Sequence, residues 1–95
     1  MTRSAVAARF PWRRSGSDII KTLKFPEYLD GLEFAYQLGK VADDNDHHPE
    51  ITIGYKTVTV KFGTHSAGGI TELDFKMARN TEGILKEFKV EVGSE

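Results

Sequence analysis

The hydrophobic period of this chain changes twice, and those two changes confine its helices and strands to separate stretches. Tyr28, Leu32, Ala35, Leu38 and Ala42 recur at helical spacing, which predicts a first helix over 27–44 with Pro26 in its first turn. After Asp46 the period drops to two. Ile51, Ile53 and Tyr55 share one face of a strand, and Val58, Val60 and Phe62 alternate with Thr57, Thr59 and Lys61, so 51–62 reads as a hairpin turning near Lys56. At Gly69 the helical period returns. Thr71-Glu72-Leu73-Asp74 has the spacing of a capping box and predicts a second helix over 72–88, burying Phe75, Ala78, Ile84, Leu85 and Phe88. Upstream, Ser15-Gly16-Ser17 separates a strand over 10–14 from one over 18–25. Gly31 and Gly39 interrupt the first helix and mark close packing on a sheet. The order β-β-α-β-β-α predicts an α+β fold, a two-layer domain whose four-stranded antiparallel sheet carries both helices on one face.

At 95 residues and 39% hydrophobic content the chain suits one small core, expected over 12–90, with tails at 1–11 and 91–95. There is no cysteine, so thiolate metal sites, disulfides and thiol nucleophiles are excluded. No apolar run approaches the roughly 18 residues that span a bilayer, and a cytoplasmic protein without a membrane partner is expected. Residues 1–17 carry Arg3, Arg9, Arg13 and Arg14 and no acid, leaving nine basic against fourteen acidic side chains elsewhere, a net −5. The arginine-rich start reads as a solvated tail, or alternatively as an organelle-targeting segment or weak phosphate-binding arm. The remainder is too acidic to bind nucleic acid directly.

All three histidines fall near the predicted hairpin. His47 and His65 each lie nine residues from Lys56 and so meet at its open end, with His48 beside them. Imidazoles exchange protons near neutrality, and gathering every copy in one place points to acid–base chemistry. Pro49 restricts His48 to extended backbone and fixes where its ring can point. Asp43 ends the first helix, where a carboxylate meets the negative end of the helix dipole, a placement that suits a task such as holding His47. Asp74 either caps the second helix or orients a histidine, and the two roles are compatible. Tyr55 reads as a packed sheet aromatic rather than a catalyst. A metal centre is disfavoured, because adjacent side chains in an extended segment point to opposite sides and His47 and His48 cannot easily share one ion.

Asp43, His47-His48-Pro49, Tyr55, His65 and Asp74, at their spacings in this chain, resemble the signature of the pterin-4a-carbinolamine dehydratases. Trp12 ahead of a strand, Phe25-Pro26-Glu27-Tyr28 opening the first helix, and Thr64-His65 followed by Gly68-Gly69-Ile70-Thr71 extend the similarity over residues 12–80. The acid before the histidines is usually glutamate in that family and is Asp43 here. The resemblance implies dehydration of 4a-hydroxytetrahydropterin to quinonoid dihydropterin, the recycling step of tetrahydrobiopterin after aromatic amino-acid hydroxylation. It also implies that His47 and His65 are the acid–base pair and that His48 and Pro49 hold the pterin. Asp43 and Asp74 are then supporting residues. No metal and no redox cofactor is expected. A homo-oligomer, dimer or tetramer, is expected both from the resemblance and from a sheet with one uncovered face. A different class is also open. Some relatives serve as dimerisation cofactors of a homeodomain transcription factor or as assembly scaffolds, roles that need a surface rather than histidines.

Overall fold

A computed structural model describes residues 12–92. In chain order these form β1 (Arg13–Ser15), β2 (Asp18–Lys24), α1 (Tyr28–Asp44), β3 (Glu50–Ile53), β4 (Thr57–Phe62), a short 3-10 turn (His65–Ala67), α2 (Glu72–Leu85) and β5 (Glu91–Val92). The four main strands lie in the order β1-β2-β4-β3, every neighbour antiparallel, as the β-β-α-β-β-α pattern requires. β5 adds two residues along β2, beside Leu23 and Lys24, on the edge that β1 leaves uncovered. The part of strand 10–14 before Trp12, the tail 1–11 and residues 93–95 lie outside the described residues.

The period-two pattern decides which face is covered. Ile19, Lys21 and Leu23 of β2 and Val58, Val60 and Phe62 of β4 are buried, while Thr22, Thr57 and Thr59 point the other way. Phe34, Leu38 and Ala42 of α1 and Met77, Ala78 and Leu85 of α2 complete the core on that buried side. Burying a Phe or Leu side chain contributes roughly 1.5–3 kcal/mol. The two helices are therefore pinned by their stripes rather than by their caps.

Lys21 is the exception among these core positions. Its ammonium bonds Glu82 of α2 at 2.6 Å, and the same Glu82 oxygen accepts the Trp12 indole N–H at 2.9 Å. A buried lysine needs such a partner, since an uncompensated charge there costs several kcal/mol. One carboxylate so ties β2, α2 and the residue before β1 together.

Four local expectations are corrected. Pro26 stands before the N-cap Glu27 and not in the first turn of α1. The second helix stops at Leu85, three residues short of Phe88. Backbone bonds from Glu87 to Ile84 and from Phe88 to Leu85 close it so that the chain can return to β2, and the Phe88 ring still packs edge-on to Phe25 and Phe34. Gly31 does face the sheet, where a Cβ would stand 3.1 Å from Val58, but a Cβ on Gly39 would meet nothing. Phe75, Ile84 and Phe88 are only partly buried, whereas Met77 and Thr81 of α2 are fully buried.

Candidate active site

The C-terminus of α1 sets His47. Asp46 adopts a left-handed conformation, φ +50°, and the N–H groups of Asp46 and His47 bond back to the carbonyls of Asp43 and Ala42. That is a Schellman closure with aspartate where glycine is commoner. It turns the chain sharply and delivers His47 inward. The ring is 10% exposed and lies parallel to Phe62 of β4, centroids 6.0 Å apart.

Asp74 receives that ring. It is the third residue of α2 and wholly buried, with Oδ1 2.5 Å from His47 Nε2. Oδ2 accepts the Thr71 backbone N–H at 2.8 Å and the Thr64 hydroxyl at 2.7 Å. One carboxylate thus caps the helix and orients a histidine, the two roles the sequence left open. Burial pushes the Asp74 carboxyl upward, but the bonds from His47, Thr71 and Thr64 outweigh it and hold the pKa below its ordinary value of 3.8.

The other two histidines flank this cluster and are more open. His48 is 58% exposed and its Nε2 lies 3.0 Å from Asp43 Oδ1. Asp43 therefore holds His48, not His47 as the helix-end argument suggested. Its shorter side chain still reaches across the turn. His65 opens the 3-10 turn, 78% exposed, with Nε2 3.3 Å from Asp18 Oδ1 at the start of β2. That loop is closed by paired backbone bonds between Thr64 and Gly69, and Gly68 supplies the left-handed residue, φ +81°, that ends the turn.

The hairpin register explains which residues meet. Glu50 pairs with Lys61 and Ile53 with Val58, so the turn is centred between Tyr55 and Lys56, and continuing the register sets Thr64 across from His47. Thr64 is indeed the residue that shares Asp74 with His47. His65, one position on, directs its ring to Asp18 instead. Tyr55 is corrected outright: it sits in the turn, 74% exposed, against Tyr28. Asp18 and Thr64 had no assigned role in the sequence. A register count centred half a residue earlier would have found Thr64, whereas no spacing signals Asp18.

Among the described residues no three His, Asp or Glu side chains stand where they could hold one metal ion. Among the described residues a cavity of about 620 Å³ is lined by Lys24, Phe25, Pro26, Lys56, Thr57, Lys89, Val90 and Glu91 and contains none of the histidines. All three histidines lie outside that lining, so the histidine cluster is the better candidate for acid–base chemistry.

Fold and site define a class: a two-layer α+β protein with three histidine–aspartate pairs set around the open end of a β-hairpin. The chain belongs to the pterin 4 alpha carbinolamine dehydratase family, whose sequence model matches residues 1–84. A Halobacterium salinarum relative, provisionally named a pterin-4-alpha-carbinolamine dehydratase, is 47% identical over 79 residues, 81% of this chain and 87% of its own. A similarly named Natronomonas pharaonis protein is 42% identical, covering 90% and 96% of the two chains. Among solved structures, a transcriptional coactivator/pterin dehydratase from Brucella melitensis superimposes with a TM-score of 0.76 at 36% identity, over 88% of this chain and 96% of that one. A pterin dehydratase-like RuBisCO assembly factor of the alpha-carboxysome shares the fold, with a TM-score of 0.63 at 18% identity over 77% and 84% of the chains.

Proposed function

We propose that this protein dehydrates 4a-hydroxytetrahydropterin to quinonoid dihydropterin by histidine acid–base catalysis, as a step in tetrahydrobiopterin recycling. The observation that carries the reading is the cluster in which Asp74, itself anchored by Thr64 and Thr71, holds the nearly buried ring of His47 by one nitrogen. With Nε2–H given to Asp74, Nδ1 is left to exchange a proton with substrate. The Asp74 carboxylate offsets the charge that arises when the ring takes one up.

The reaction requires two proton movements. A proton reaches the departing C4a hydroxyl, the C–O bond breaks and water leaves, while the proton on N5 is lost to a base and its electron pair forms the new double bond. The balance is loss of one water, with no external electron acceptor. His47 and His65 are the acid–base pair in this reading, and His48, exposed and followed by Pro49, contacts the flat pterin. Asp43 and Asp74 support their histidines.

The test is turnover of freshly generated carbinolamine, corrected for its spontaneous dehydration. The wild-type protein is expected to exceed the blank, and His47→Ala and His65→Ala are each expected to lose about 10²-fold or more. If the folded wild-type protein adds nothing to the blank, a non-catalytic binding role, as a transcription-factor cofactor or scaffold, becomes the better account. The similarity to a Brucella melitensis protein described as both transcriptional coactivator and pterin dehydratase is the observation that keeps that role in view.

A further inference from the structure

Asp18 belongs to neither the helix ends nor the family-like signature, yet the fold brings its carboxylate to His65 across 47 positions of sequence, Oδ1 to Nε2 at 3.3 Å. Two neighbours hold it there. On one side the tight turn through Gly16, φ +62°, pairs Asp18 with Ser15; on the other, Ile19 pairs with Phe62 of β4 and sets the strand against the loop that follows. The space its carboxylate occupies exists because residue 63 is glycine. A Cβ at Gly63 would stand 2.0 Å from Asp18 Oδ1 and 3.0 Å from the Ser17 carbonyl. The side chain is 18% exposed while the imidazole it meets is 78% exposed, so the fixed partner is the carboxylate and the positioned one is the ring.

The same geometry recurs at the other two histidines, each presenting Nε2 to one aspartate oxygen. Among the described residues, Asp18 is the carboxylate within ion-pair distance of His65. We propose that Asp18 is a positioning residue for His65, accepting Nε2–H so that the ring is held beside the site with its Nδ1 lone pair outward. The proposal rests on the acid–base reading above for its effect on turnover, but not for the contact itself. Asp18 touches no substrate atom in this account and acts only through the ring.

Uniformly ¹⁵N-labelled protein tests it, with long-range ¹H–¹⁵N correlations of the three imidazoles recorded at about pH 8, where ordinary imidazoles are neutral. In the wild type, His65 should be mainly the Nε2–H tautomer. In Asp18→Ala it should become a mixture while the His47 and His48 signals stay put. Asp18→Asn keeps an acceptor oxygen and should retain most of the preference. Gly63→Ala displaces the carboxylate without removing it and should reproduce the alanine signature. In turnover, Asp18→Ala should lower kcat about tenfold, less than the 10² expected for losing the histidine, with KM within about a factor of two. Adding it to His65→Ala should cost nothing further. An unchanged His65 tautomer in Asp18→Ala, or a full additional loss in the double variant, overturns the proposal. An inactive wild type would sink the dehydratase reading alone, since the tautomer measurement decides the Asp18–His65 link by itself.

Discussion

Asp74 concentrates the most consequence in one side chain. Its folded pKa is depressed, so the stability it contributes is present above its ordinary 3.8 and is lost as pH falls through the lower folded value. Asp74→Asn removes that dependence and leaves an amide N–H₂ facing either the Thr71 N–H or His47, neither arrangement fully satisfied. A loss of about 1–3 kcal/mol at neutral pH is expected, shrinking below about pH 4, which denaturant titrations at pH 7 and pH 3 would check. His48→Ala belongs to a different class. Its pair with Asp43 is exposed and contributes at most about 1 kcal/mol, so stability should hold and the change should appear in KM more than kcat. Residue types and spacing disclosed the histidines, Asp43 and Asp74. They did not disclose the pairing, because which carboxylate reaches which ring depends on a half-residue of hairpin register and on where Gly63 leaves room.

At the scale of elements, the ends of helices carry the site more than their lengths do. Both helices and the second hairpin were legible from period, since each places an apolar stripe in the core, and the first hairpin from its Ser15-Gly16-Ser17 turn. Their terminations were less so. α2 ends early because Phe88 must leave the axis for the chain to reach β2, a demand from the sheet that no local spacing shows. The end of α1 was marked by the change of period after Asp46, but its coupling to His47 through the left-handed Asp46 required the Schellman bonds to be seen. Asp46→Val forces a β-branched residue to φ +50° and should cost about 1–2 kcal/mol. Because His47 follows immediately, kcat should fall as well. Asp46→Gly should preserve or raise the melting temperature with near-normal turnover, and a drop in stability with glycine would contradict the backbone explanation.

The whole molecule leaves surfaces that a chain of this size seldom leaves bare. The uncovered sheet face is not among the apolar ones: Thr22 and Thr59 bond each other across it at 3.0 Å, and Lys61 and Glu50 pair in register beside them. Exposed apolar groups collect elsewhere, at Leu29 and Tyr36 on the outer side of α1 and at Ile53 and Tyr55 along β3 and its turn. β3 is also the last strand of the sheet among the described residues, with one edge unpaired. An open strand edge invites pairing, and large hydrophobics exposed on it and its turn, Ile53 and Tyr55, and on α1 favour contact with another copy rather than with water. Light scattering at micromolar concentration is therefore expected to give a dimer or tetramer. Replacing Leu29 and Tyr36 by glutamate, or Ile53 by lysine, should shift it toward monomer without unfolding it, since none of the three is part of the core cluster. A wild-type monomer at those concentrations would mean that this edge is guarded by its own twist and charge. The polar sheet face, which the count of strands alone marked for cover, would then need none.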